Sequence, residues 1–122
     1  MNVKLLRRIQ KAISKEPEKY DQDAWCGSEC CLAGHAVILS GHAEISNDSC
    51  EGVMVRLSYG KEVHIQDFAA EELELTEDQS CKLFDVWPRE FREAYDGALT
   101  DKGRARVAVR RIDHFIKTKG AE

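Results

Sequence analysis

Proline is nearly absent from this chain, with 2 residues among 122, and aromatic side chains make up only 7%. Glycine, at 8 residues, falls far short of the roughly one-third that a collagen repeat requires. No uninterrupted apolar run approaches the roughly 20 residues of a membrane-spanning helix. A Gly-rich phosphate loop, a dinucleotide-binding fingerprint, internal repeats and low-complexity tracts are likewise missing from the sequence. What is present, 43% hydrophobic and 33% charged residues, is too apolar for a disordered chain. It fits one globular domain over residues 1–122.

The five cysteines cannot all pair internally. The opening MNVKLLRRIQ breaks its apolar residues with basic ones, where an export signal would need an unbroken hydrophobic stretch. The expectation is a cytoplasmic protein whose thiols are reduced, and therefore buried, metal-bound or reactive rather than cross-linked.

The net charge of −4 is unevenly distributed. Residues 1–20 carry +4 and residues 102–122 carry +5, leaving −13 for residues 21–101. Basic ends and an acidic centre predict that the ends fold back over the middle. Because the domain as a whole is acidic, nucleic acid is not the expected partner.

Val3, Leu6, Ile9 and Ile13 recur at helical spacing, and Pro17 predicts an end near Glu16. Cys30 to Ser40 reads CCLAGHAVILS, apolar on every side except at His35, which predicts a buried central helix capped by Ser28 and stopped by Gly41. Gly34 in its middle predicts the close approach of a ring such as Trp25. Alternation over 53–57 and 63–65 around Tyr59-Gly60-Lys61 predicts a hairpin packed on the helices. Further helices are expected after Asp67, after the Thr76/Gln79 capping box and at Pro88, with Trp87 packed as a staple beside it. A last helix from Thr100 or Asp101 turns Ala105, Ala108, Val109, Ile112, Phe115 and Ile116 inward, with Arg104, Arg106, Arg110, Arg111 and Lys117 on its surface. The fold class is therefore mainly α: a single-domain helical bundle of five or six helices around a buried central helix, with a small β-hairpin.

The segment with the most chemistry is Trp25-Cys26-Gly27-Ser28-Glu29-Cys30-Cys31-Leu32-Ala33-Gly34-His35-Ala36. It sets three thiols at a helix start, where the helix dipole favours a thiolate, and Cys31 and His35 share a face. The stretch resembles a motif, C-G-[ST]-x-x-C-[IL]-A-G-[HW]-A, of small uncharacterised bacterial and phage proteins, and Cys26 and Cys31 match its two cysteines. The likeness continues through ELELTEDQSCKLF, Trp87-Pro88 and the closing Ile112, Phe115 and Ile116. That group has no established activity. Because Trp also occurs at the position of His35 there, the resemblance implies that an imidazole is not obligatory at this point.

Three readings of the segment compete. In the favoured one, Cys26, Cys30 and Cys31 are small buried residues and His35 is a hydrogen-bonded histidine at the edge of the core. In the second, Cys26, Cys31, His35 and His42 hold zinc, with Cys30 or Cys50 as substitutes. Its ligands are spaced unlike a zinc knuckle. In the third, Cys31 is a nucleophile with His64 and Asp67 as base and orienting acid, in a layout similar to papain-like and transglutaminase-like hydrolases but without their local signatures.

The acidic run Glu71, Glu72, Glu74, Glu77 and Asp78 reads as a solvated face. Glu90, Glu93 and Asp96 would repel phosphates from a helix-turn-helix around 76–95. By elimination the sequence points to a non-enzymatic cytoplasmic interaction or accessory protein, of bacterial or phage type by its resemblance, with a protein partner, no membrane and no favoured cofactor. The alternative is a zinc- or thiol-dependent module.

Overall fold

The computed structural model describes residues 1–23, 30–49 and 52–122, with 47–49, 52 and 53 described by their backbone alone. Trp25, Cys26, Ser28 and Cys50 lie outside the described residues. The chain is mainly α-helical with a small antiparallel sheet. In order it forms α1 (Val3–Lys15), a 3-10 turn (Pro17–Lys19), α2 (Leu32–Ser40), β1 (Ala43–Ser49), β2 (Gly52–Leu57), β3 (Glu62–His64), α3 (Ile65–Glu72), α4 (Glu77–Phe84), α5 (Arg89–Gly97) and α6 (Asp101–Lys117).

Helix α1 buries Leu5, Leu6, Ile9 and Ile13, while Val3 stays largely exposed. Its start is fixed by Asn2, whose Oδ1 accepts from Leu5 N at 3.0 Å and whose N–H donates to Leu73 O at 2.7 Å. Helix α2 packs against α1, α3, α4 and β1 and is the central element. It begins at Leu32 rather than Cys30, with Cys31 in the cap position and Gly41 in the left-handed conformation at φ 71° after its end. Its burial stops at Val37, and Ile38 is 58% exposed, so it is not apolar-packed on every side.

The sheet is wider than a hairpin. β1 pairs with β2, and β2 with β3, both antiparallel, with an irregularity between Ile45 and Asn47. AEISNDS in β1 carries one large apolar residue, Ile45, so it lacked the alternation that marks a strand, and pairing with β2 imposes the extended form. Ile65 belongs to α3 and is not a strand residue.

Asp67 is not a cap: His64 holds that position, and Asp67 is exposed in the first turn of α3, where its charge suits the helix dipole. The capping box of α4 is present, with Thr76 Oγ1 accepting from Gln79 N at 3.2 Å and Gln79 Oε1 from Thr76 N at 2.9 Å. Pro88 is the cap residue of α5, one position before the first turn. Trp87 is buried, its Nε1 donating to Leu83 O at 2.7 Å. Thr100 caps α6 by accepting from Gly103 N at 2.9 Å.

One expectation about α6 fails. Arg111, expected on the surface, is fully buried. It lies over the rings of Phe91 and Phe115, at 5.7 and 5.5 Å from their centroids, and Nη2 donates to Lys82 O at 3.0 Å. The basic ends do pack back on the middle of the chain, α1 on α2 and α6 on α5, as well as on one another. Helices α1 and α6 pack on one another, joined by Arg7 to Asp113 and by Gln10 Nε2 to Val109 O and Asp113 Oδ1, both at 2.9 Å. Matching apolar stripes hold these packings, beside a diffuse attraction that salt screens.

Candidate functional site

The start of α2 is assembled by residues distant in sequence. Cys30 forms a parallel bridge with Tyr20: Cys30 N donates to Lys19 O at 2.8 Å, and Asp21 N to Cys30 O at 3.2 Å. The side chain of Gln22 then does what a capping residue would do. Its Oε1 accepts from Leu32 N at 3.1 Å and from the Tyr20 hydroxyl at 3.2 Å, while its Nε2 donates to Phe84 O at 2.8 Å. Gln22 N donates to the Tyr95 hydroxyl at 2.8 Å, and that hydroxyl donates to Asp21 Oδ1 at 3.2 Å.

Burial raises the pKa of Tyr95 to about 12 and raises that of Tyr20 as well, so both stay protonated donors at any ordinary pH. The two rings meet edge to face, and Trp87 meets Tyr95 in the same way. The hub ties α2 to α4 and α5. No periodicity reveals it, because its polar members are single residues in a loop and a helix.

His35 is buried on the next turn. Its Nδ1 lies 3.0 Å from Cys31 O, and a carbonyl can only accept, so Nδ1 carries the proton and Nε2 is left as the nitrogen with a lone pair. Burial lowers its pKa below the usual histidine value, which makes the neutral ring the form present near pH 7.

Beside it opens a cleft of about 370 Å³ lined by Ala12, Glu16, Lys19, Cys30, His35, Ile38 and Leu39. Glu16 and Lys19 bridge on its wall at 2.7 Å, a contact that lowers the Glu16 pKa and raises that of Lys19. The cleft thus combines apolar walls, a thiol, a neutral imidazole and a surface ion pair.

The other candidate residues lie elsewhere. Because α2 ends at Ser40, His42 does not continue the face of Cys31 and His35; it is exposed, with Nδ1 3.0 Å from Glu72 Oε1. His64 closes β3 opposite Met54, and Asp67 is exposed on α3. Cys31 is half-buried at the α2 cap. Among the described residues no three His, Cys, Asp or Glu side chains converge as a metal site, so Cys31, His35 and His42 are not brought together as zinc ligands. Cys26, the fourth candidate ligand, is outside the described residues.

No helix among the described residues is long and apolar enough to cross a membrane. Comparison with known proteins matches the chain to no family model, no curated protein and no solved structure.

Proposed function

We propose that this is a small non-enzymatic accessory protein of the cytoplasm, of the bacterial and phage type its motif resembles, which works by contact with another macromolecule. One observation supports the reading: among the described residues, the part of the cysteine–histidine segment from Cys30 to His35 is engaged in holding the fold. The His35 ring nitrogen bonds the Cys31 carbonyl, Cys30 is bridged to Tyr20, and the first N–H of α2 is taken by Gln22. An active centre instead needs convergent polar groups free to meet a substrate.

The test is the metal content of the purified protein together with the behaviour of Cys31→Ser. The reading expects far less than one zinc per chain and a folded variant with little change in melting temperature. Near-stoichiometric zinc, lost together with the fold on chelation, overturns it.

A second reading, a zinc- or thiol-dependent module using Cys26, Cys31 and His35, is favoured by the cleft that places Cys30 and His35 on one wall. One thiol that labels much faster than the rest near neutral pH would support it. The Cys31, His64 and Asp67 hydrolase arrangement is its least supported form.

A further inference from the structure

The side-by-side packing of the two basic helices concentrates charge. α1 carries Lys4, Arg7, Arg8, Lys11 and Lys15 with no acid, and α6 carries six cations against Asp101 and Asp113. The pair therefore holds +9 in a chain whose remainder is −13.

The contacts fix the arrangement as antiparallel. Arg7 and Gln10 meet Asp113 and Val109, while Ser14 and Pro17 share a recess of about 160 Å³ with Lys102, Ala105 and Arg106. At about 100° per residue, Lys11 and Lys15 on α1 and Lys102, Arg106 and Arg110 on α6 then fall on the outer side of the seam. All five are exposed, and none has an ion-pair partner among the described residues.

We propose that this outer face of α1 and α6 docks the phosphodiester backbone of a nucleic-acid duplex, without reading its sequence. The inference rests on the accessory-protein reading and replaces the protein partner expected from the sequence with a nucleic-acid backbone. Protein interfaces centre on apolar and aromatic anchors. Of the large exposed apolar side chains among the described residues, Ile38, Tyr59, Val86 and Leu99 lie outside the pair, and only Val3 is on it, at the start of α1. A backbone asks only for cations in a row, and arginine suits phosphate with its forked donors. The recess beside Lys102 and Arg106, bordered by Ser14, offers a seat for one phosphate group. Repulsion from the acidic remainder of the surface is screened beyond a Debye length of about 8 Å in physiological salt.

The test is fluorescence anisotropy with unrelated 20-base-pair DNA duplexes and an RNA duplex, between about 50 and 200 mM salt. Expected are sequence-independent dissociation constants of about 10⁻⁴ to 10⁻⁶ M that weaken steeply with salt. The triple variant Lys11→Glu/Arg106→Glu/Arg110→Glu should bind at least tenfold more weakly, with a salt slope shallower by about 3, roughly one unit for each lost phosphate contact. The Lys61→Glu variant, in the hairpin turn, should bind as wild type does. Thermal melting verifies that the triple variant is folded, and the corresponding Gln triple replaces it if it is not. The DNA and RNA arms separate the two sources of the backbone. Wild-type binding by a folded triple variant, absence of duplex binding, or equal binding of polyglutamate, which would indicate an acidic protein, each overturns the proposal. None of these outcomes bears on the zinc and thiol tests, so the accessory reading can survive the loss of this one.

Discussion

His35 and Arg111 are both nitrogen bases enclosed by apolar side chains, and the two halves of the molecule resolve that conflict differently. At His35 the proton is surrendered: burial lowers the pKa and the neutral ring settles on a carbonyl one turn back. At Arg111 burial lowers the pKa only to about 10, so the guanidinium stays charged at neutral pH. Its charge rests on two aromatic faces and one carbonyl, while Nε and Nη1 have no hydrogen-bond partner among the described residues. A group that can neutralise itself fits the core cheaply, whereas one that cannot must be surrounded by π faces and still leaves donors unmet.

The sharpest way to break this comparison is to remove Arg111. Arg111→Ala leaves a void between Phe91 and Phe115 and an unmet Lys82 carbonyl, and should cost about 3 kcal/mol in chemical denaturation. Arg111→Met keeps the volume and removes the buried charge, so it should stay within about 1 kcal/mol of wild type or exceed it. If Met is as damaging as Ala, the charge itself is stabilising and the contrast with His35 fails.

The next effect concerns the hub beside His35. Gln22→Ala strips Leu32 N of its acceptor and Phe84 O of a donor, and should lower stability by about 1–2 kcal/mol. A loss no larger than that of an exposed substitution such as Lys61→Ala would show that α2 is held by packing alone. Thr76→Ala, at the capping box of α4, should cost about 1 kcal/mol and calibrates the scale of a local cap.

These sites differ in how far the sequence discloses them. The capping box at Thr76 and Gln79, the Thr100 cap, the buried α2 segment and the apolar stripe of α6 were legible, because each is local and follows a fixed period. Arg111 departs from the expected surface position because charge alone signals exposure. Its neighbours one turn away on the same face, Val107 and Phe115, are both buried, and that spacing was the available signal. β1 was missed because AEISNDS has no strand periodicity of its own, and the Gln22 cap because a loop side chain reaching a helix start ten residues on leaves no pattern. At the candidate site, the kinship of Cys31 and His35 was readable, but it is backbone to ring rather than thiol to ring. His42 lies off that face because Gly41, the stop legible in the sequence, ends α2 at Ser40.

The smallest expected effect tests the neutral side of the comparison. Because the folded pKa of His35 is lowered, the unfolded chain takes up a proton first as the pH drops, and that uptake draws the equilibrium toward unfolding. Above an unfolded histidine value of about 6.5 the ring is neutral in both states and makes no difference to stability. Stability should therefore fall as the pH passes below that value and level off once the folded pKa is also crossed. Urea midpoints of wild type and His35→Trp across this range isolate the effect, since the indole does not titrate and the adjoining cleft gives it room. The Trp variant should fold and lose this step. If the two profiles run parallel, His35 is not held neutral by the fold, and the ring would have to be treated as a charged group beside Cys30.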